Sequence, residues 1–202
     1  MNTDTFDDPE GTREEILAAT YRALDKYGYS DLTIQRIGDE FDKSTSLLYY
    51  HYENKDELVI ETLEYLLDAF ETEFTESDVT DPRERLEEFL AQTFATLTES
   101  TRPRTLLELR ARAAHDERYR RHFERSDQVF KDYLSELLNA GVESGTFRDL
   151  DPQAVSTTIL LFLDGALLRC AVNPNEAWKN QAQTEIETYL KTRVYGQSVT
   201  RN

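Results

Sequence analysis

Apolar residues recur along the chain at three- and four-residue spacings, and no long stretch alternates with period two, so the pattern predicts an all-α fold of about nine helices. The first is expected from about Arg13 to Tyr27, with Ile16, Leu17, Thr20, Ala23 and Leu24 as its stripe, Thr12 and Glu15 as a capping box and Gly28 as its stop. Thr33 is placed to cap a short second helix ending near Phe41, and after a tight turn Ser44 is placed to cap a third reaching about Tyr52. Asn54 with Glu57 makes a further capping box, opening a long fourth helix that carries Leu58, Leu63, Leu66, Leu67 and Phe70 into the acidic stretch ETEFTESDVTD. Asp81-Pro82 and Asp151-Pro152 each place an N-cap before a proline at the first helical position, and Asn173-Pro174 separates the last two helices. The other helices are expected over residues 82–99, 104–114, 117–143, 152–172 and 175–195. Residues 1–11 are acidic and polar and are expected to form a disordered tail, residues 12–58 a small three-helix head, and residues 59–202 a larger helical body.

Composition narrows the setting. Apolar residues make up 39% of the 202 positions, with only seven glycines and five prolines, which fits a packed helical chain. The net charge of −17, with six lysines against seventeen arginines, points to a salt-rich cytoplasm, a merely acidic protein of ordinary salt being the alternative. Cys170 is the only cysteine, which excludes an intramolecular disulfide and a thiol-ligated metal site. His115 and His122 share a helical face but have no third imidazole or thiol nearby, so solvent exposure is expected and no metal. The N-terminus lacks the basic and apolar regions of a signal peptide. The apolar runs ILLFL and GALL are split by Asp164 and ended by Arg169, short of the roughly 20 residues of a membrane helix. A cytoplasmic protein without membrane contact is therefore expected. No glycine-rich phosphate loop, G-x-S-x-G or H-E-x-x-H is present, so neither an enzyme nor a cofactor is expected.

In this acidic chain, the ten positions from Lys43 to Tyr52 contain no carboxylate but three tyrosines and a histidine. Two short helices joined by a tight turn, the second opening on small polar residues, match the helix-turn-helix that lays a recognition helix in the major groove. Lys43, Ser44, Thr45 and Ser46 are small or cationic and suit close approach to phosphates and base edges, while Leu47 and Leu48 are expected to face the core with Ile37 and Phe41. Tyr49, Tyr50 and His51 are expected on the groove side, with Lys55 on a phosphate. A plain helical hairpin with packed tyrosines is the alternative, and a helical adaptor that binds protein instead of DNA is the competing function.

The run IGDEFDKSTSLLYYHYENKDEL resembles the pattern I-A-x-x-A-G-V-S-x-x-x-L-Y-x-[HY]-F-x-x-K-x-x-L of the tetracycline-repressor (TetR) family of transcriptional regulators, with Ile37, Ser44, Leu48, Tyr49, His51, Asn54, Lys55 and Leu58 in register. The resemblance implies DNA contacts from Thr33, Thr45, Tyr49, His51 and Lys55, with Gln35 and Ser46 as base-reading candidates. Three positions depart from the pattern: Asp42 replaces the turn glycine, Lys43 the valine after it and Gly38 an alanine. Asp is among the residues that can take a left-handed conformation. Residues 12–58 hold six basic and ten acidic residues, the reverse of a usual DNA-binding head. In strong salt, counterion release contributes little, so groove hydrogen bonds and apolar contacts carry more.

Further along, the segment from Arg102 to Leu168, with its glycine, Gly145-Thr146-Phe147, Asp151-Pro152 and Asp164-Gly165, is similar to the C-terminal domain of the choline-responsive betaine-pathway repressors. That resemblance implies a body that binds a small inducer and a homodimer joined through its last two helices, hence a palindromic double-stranded DNA operator. The helix around Ile159 to Leu168 is apolar over nearly its full circumference, which fits burial of one side at home and the other in a twin, a helix central to a single core being the alternative; Leu160, Leu163, Leu167 and Leu168 are the expected dimer residues. Arg102 to Arg125 carries eight arginines against four acids. It suits either an anionic inducer such as an acyl-coenzyme A or fatty acid, held by Arg110 with its tail among Phe89, Phe94, Leu97, Leu109, Phe130 and Phe162, or a surface of ion pairs such as Glu108–Arg112 and Asp116–Arg120. The second is the plainer alternative.

Overall fold

The three-and-four spacing is carried through into helices in the computed structural model, which describes residues 3–6, 8–76, 81–98, 101–173 and 177–196. Among the described residues there are nine α-helices: α1 (Thr12–Asp31), α2 (Ile34–Asp39), α3 (Ser46–His51), α4 (Lys55–Glu76), α5 (Pro82–Thr98), α6 (Arg102–Arg112), α7 (Glu117–Glu143), α8 (Pro152–Val172) and α9 (Ala177–Tyr189). A π-helical turn, Leu190–Val194, continues α9. The expected helix end at Glu99, the separator Pro174 and the start at Asn175 lie outside the described residues, as do residues 1, 2 and 7 of the expected tail. The chain forms two compact units, residues 1–76 with 98–126, and residues 77–97 with 127–202. The first unit thus extends beyond the expected head, taking in all of α4, α6 and the start of α7, and α7 contributes substantially to both units.

Most caps form where the sequence places them. Asp81 Oδ1 accepts from the amides of Arg83 and Glu84, and Asp151 Oδ1 from those of Gln153 and Ala154. Asn54 Oδ1 accepts from the Glu57 amide, while the Glu57 carboxylate accepts from the Glu53 amide. The first helix differs: Gly11, at φ 94°, is its N-cap and Thr12 lies inside it, so the expected Thr12 box is not made. Gly28 does break the helix, at φ 70°, but one further turn follows before Leu32.

The core of the first unit gathers Ile16, Ala19, Ala23 and Leu24 of α1, Ile37, Phe41, Leu48 and Tyr52 of the helix-turn-helix, Leu58, Val59 and Leu63 of α4, Leu109 of α6, and Tyr119 and Phe123 of α7. Part of the expected tail is also built in. Thr3–Phe6 form a 3-10 turn, and Phe6 is buried with its ring 5.5 Å from that of Tyr21 and 5.3 Å from that of Tyr65. One aromatic is enough to dock a segment whose average composition reads as solvated.

Two polar clusters join α4 to α7 within this unit. Asp56 Oδ1 accepts from the hydroxyls of Tyr29 (2.6 Å) and Tyr119 (2.9 Å), and its Oδ2 faces Arg112 at 3.3 Å. The Arg112 guanidinium lies over both tyrosine rings. Burial and the Asp56 carboxylate push the Tyr29 hydroxyl up to about 12 and raise that of Tyr119 further. Along the same helix pair Glu64 accepts from Arg125 at 2.7 Å and faces His122 Nδ1 at 3.0 Å, while Arg125 also reaches Asp68 and Glu71. His122 is therefore buried, contrary to the expected exposure, and its desolvation holds its pKa below the ordinary histidine value. His115 is exposed.

In the second unit, Leu86 and Leu90 of α5, Leu134 and Leu138 of α7, and Val155, Ile159 and Leu163 of α8 form the core with Leu190, Val194 and Tyr195. The Gly-Thr-Phe motif has a clear task there. Gly145 takes φ 74°, which turns the chain so that the Phe147 ring lies against Gly141, where a Cβ would fall 1.9 Å from the ring. Phe147 stacks on Tyr195, and Arg148 donates to the carbonyls of Tyr195 and Thr192, tying the C-terminal turn to the α7–α8 connection. By length and mean hydropathy α8 is apolar enough to cross a membrane, a criterion that the split runs in the sequence do not meet. Its Val155, Ile159 and Leu163 are nevertheless core residues of this unit.

Candidate nucleic-acid interface

The geometry of α2 and α3 starts from two anchors. Ile37 and Leu48 are fully buried, and burying a side chain of that size contributes on the order of 1.5–3 kcal/mol. Thr33 Oγ1 accepts from the Arg36 amide and starts α2 as expected. The turn then runs through Glu40 and the buried Phe41, whose amide donates to the Gly38 carbonyl. Asp42 does not take a left-handed conformation; among the described residues every positive φ belongs to a glycine. Gly38 is where α2 and Thr45 meet: a Cβ on it would lie 2.7 Å from Thr45 Cγ2. The threonine methyl fills the space a side chain at position 38 would need, so the Gly38 departure is matched by Thr45.

Ser44 does not serve as the N-cap of α3, which begins at Ser46 after Thr45 without a side-chain cap. Instead the Ser44 hydroxyl accepts from the Ser46 amide at 3.4 Å, and its carbonyl accepts from Leu47. Leu48 points inward and Leu47 is partly buried against the same core, which leaves the other side of α3 to solvent. Tyr49 is 60% and Tyr50 81% exposed, and His51 is exposed with its ring edge-on to that of Tyr50 at 4.9 Å. Ser44, Ser46, Thr33 and Gln35 are exposed as well, Gln35 donating to Asp39 at 3.3 Å; Thr45 is half-buried. Tyr52 is buried and terminates α3.

The two lysines named from the sequence sit differently. Lys43 pairs with Glu15 and lies 3.4 Å from Thr12 Oγ1, back on the first turn of α1. Lys55 donates to the carbonyls of Tyr29 and Leu32, both at 3.0 Å, and its ammonium lies over the Tyr29 ring. Burial draws its pKa below the ordinary lysine value. These two bonds add to the Leu32 amide's bond to the Tyr29 carbonyl in capping the end of α1, a task that a one-dimensional pattern does not reveal.

The seven expected inducer contacts fall in both units. Phe89, Phe94, Leu97, Phe130 and Phe162 belong to the second, where Phe89 meets Phe130 and Tyr133 and Phe94 meets Phe162 at ring distances of 5.4–6.4 Å. Leu109 is buried in the core of the first unit, and Arg110 lies over the Phe123 ring there. The arginine-rich helices carry ion pairs as the plainer alternative holds, though with other partners: Glu108 pairs with Arg104, Arg112 with Asp56, and Asp116 with Arg118. Among the four expected dimer residues, Leu163 and Leu167 are buried within the unit and Leu160 is partly so. Leu168 is exposed together with Leu161 and Val172, and Gly165 lies between them with open space around it.

Comparison with known proteins agrees with both halves of this description. Residues 16–62 match the family of bacterial regulatory proteins, tetR family, and residues 82–194 match the BetI-type transcriptional repressor C-terminal domain. A TetR transcription regulator from Haloarcula marismortui is 34% identical in a structural alignment covering 90% of this chain and 97% of that one, with a TM-score of 0.76. A transcriptional regulator from Saccharomonospora viridis, solved with choline, has a TM-score of 0.68 over 92% of this chain and 98% of its own; at 17% identity it speaks for the fold alone. The HTH-type transcriptional regulator HbdR of an Aromatoleum strain is 34% identical over 79 residues, a stretch that spans 38% of this chain and 34% of that relative.

Proposed function

Because the chain belongs to the tetR family of bacterial regulatory proteins and carries a BetI-type repressor C-terminal domain, we propose that it is a ligand-responsive transcriptional repressor. It binds a palindromic double-stranded operator as a homodimer and leaves it when a small inducer binds. The observation that carries this is α3: a helix held by the buried Leu48 that turns Ser46, Tyr49, Tyr50 and His51 outward with no carboxylate among them. Thr33, Gln35, Ser44 and Thr45 flank that surface, with Lys43 and Lys55 bracing it from behind. Two such helices enter successive major grooves about 34–36 Å apart. The exposed strip Leu161, Leu168 and Val172 on α8 supports a twin-facing role for that helix in the cytoplasm rather than a membrane-spanning one.

The aromatic groups of the second unit support an inducer site there, with an acyl-coenzyme A or fatty acid as one class to test. Inducer binding favours a dimer whose heads stand at the wrong separation, for which a differential affinity of a few kcal/mol suffices. The continuity of α7 through both units makes it the coupling helix of this scheme, since Tyr119, His122 and Arg125 grip α4 from its first turns. The charge of −17 and the likeness to the Haloarcula protein support operation in concentrated salt.

The test is fluorescence anisotropy in molar potassium chloride. Its substrates are the duplex upstream of the protein's own gene, the duplexes enriched by the purified protein from a randomised pool, and scrambled controls. Selective binding that Tyr49→Ala removes is the expected result. A pool from which nothing is enriched contradicts the proposal and favours the protein-binding adaptor.

A further inference from the structure

We infer that the head meets DNA as a nearly charge-neutral surface, so that operator affinity depends only weakly on salt; this rests on the reading of α3 as the DNA-binding helix.

Every basic side chain of residues 12–58 already has a partner within the head's own unit. Arg13 pairs with Glu61 and Lys26 with Glu40, at 2.5 and 2.6 Å. Arg22 donates to the Glu40 carbonyl at 2.8 Å, and Arg36 donates to the Asp31 carbonyl while its guanidinium lies over the Tyr27 ring. Lys43 pairs with Glu15, and Lys55 donates to the carbonyls of Tyr29 and Leu32. The polar groups turned outward on α3 and just before it are instead the hydroxyls of Ser44, Ser46, Tyr49 and Tyr50 and the His51 ring, with the exposed carboxylates Asp42 and Glu53 on either side.

A cation paired with a carboxylate, as Arg13, Lys26 and Lys43 are, does little to neutralise phosphate, whereas Arg22, Arg36 and Lys55 keep their charge but are held on backbone carbonyls. If Lys43 turned from Glu15 to a phosphate, the released carboxylate would need a cation of its own, and the net number of ions freed would stay near zero. Lys55 would lose its two hydrogen bonds to the carbonyls of Tyr29 and Leu32 on turning to a phosphate. Hydroxyl donors, by contrast, hydrogen-bond phosphates and base edges without displacing condensed cations. Counterion release lowers affinity by about 0.9 decade per neutralised phosphate for each decade of salt, so a protein with six to ten such contacts loses about 5–9 decades. Lys43 is the one lysine or arginine from Asp42 to Glu53, so a dimer that meets DNA through α3 brings the equivalent of about two phosphate contacts at that face, and its affinity falls by fewer than about 2 decades over the same range.

The experiment uses the full-length protein and a labelled duplex enriched from a randomised pool in 2 M potassium chloride, titrated at a series of concentrations from about 0.2 to 2 M. The same series is run on Asp42→Lys, whose folding is checked by circular dichroism and thermal melting. The expected result is a shallow slope for the parent chain and, for Asp42→Lys, a slope steeper by about 1.8 or more together with tighter binding at low salt, because each head then carries an uncompensated cation. A parent slope of about −5 or steeper overturns the inference while leaving the DNA-binding reading intact. A folded Asp42→Lys protein with an unchanged slope also overturns it. A pool that yields no enriched duplex overturns the inference together with the reading beneath it.

Discussion

Replacing Asp56 by alanine isolates the cluster that ties the first turn of α4 to α1, α6 and α7. Asp56 lies in the first turn of α4, directly after α3, and its carboxylate accepts from Tyr29 and Tyr119 and faces Arg112. Hydrogen bonds to a charged group contribute about 1.5–3 kcal/mol each, and a buried donor left without its partner costs about 1–3 kcal/mol. Tyr119 is fully buried, so its hydroxyl has no water to turn to; the Arg112 side chain is 36% exposed and its pairing counts for little. The sum for Asp56→Ala is a loss on the order of 3–5 kcal/mol, a large share of the roughly 5–15 kcal/mol that holds a domain. The assay is urea unfolding by circular dichroism at fixed potassium chloride, with Tyr119→Phe and the double variant completing a thermodynamic cycle. Coupling of about 1 kcal/mol or more is expected between the two positions. If Asp56→Ala cost less than about 1 kcal/mol, or if the two changes were additive, the cluster would not hold α4 in the way described.

Three further outcomes follow from named contacts. Gly38→Ala forces the Thr45 side chain from its place and is expected to lower stability by about 1–3 kcal/mol and to weaken operator binding, with Thr45→Ser in the same chain restoring part of both in melting and anisotropy assays. Tyr29 titrates at about 12 in the folded protein against about 10 when unfolded, so its contribution is complete below pH about 10 and declines as pH rises from there through 12; alkaline melting curves should show this decline, and Tyr29→Phe should reduce it. Leu161→Glu with Leu168→Glu places charge on the exposed face of α8 and is expected to shift sedimentation from dimer to monomer with little change in the circular dichroism spectrum.

What could be read from the sequence was whatever depends on local pattern. The helix order, the caps at Thr33, Asp81 and Asp151, the break at Gly28 and the outward Tyr49 and Tyr50 all follow from spacing and residue type. Contacts between distant segments were not legible in that way. Nothing near Phe6 announces a partner, since its pocket is assembled from Tyr21 and Tyr65. His122 looked exposed because its partner, Glu64, lies 58 positions away. The same holds for Lys55, whose register in the TetR pattern suggested a phosphate while its ammonium sits on the last carbonyls of α1. On α8 a helix apolar all round gives no phase, so Leu163 and Leu167 could not be told from the exposed Leu161 and Val172 without the neighbouring helices.

The most direct test of the central claim is hydroxyl-radical footprinting of the enriched duplex in molar potassium chloride, with the parent chain and with Tyr49→Ala. The account predicts two protected patches related by a twofold axis, their centres about 34–36 Å apart, and their loss in the variant. Protection that survives Tyr49→Ala unchanged, or no protection at any protein concentration, would contradict a dimer that reads DNA through α3.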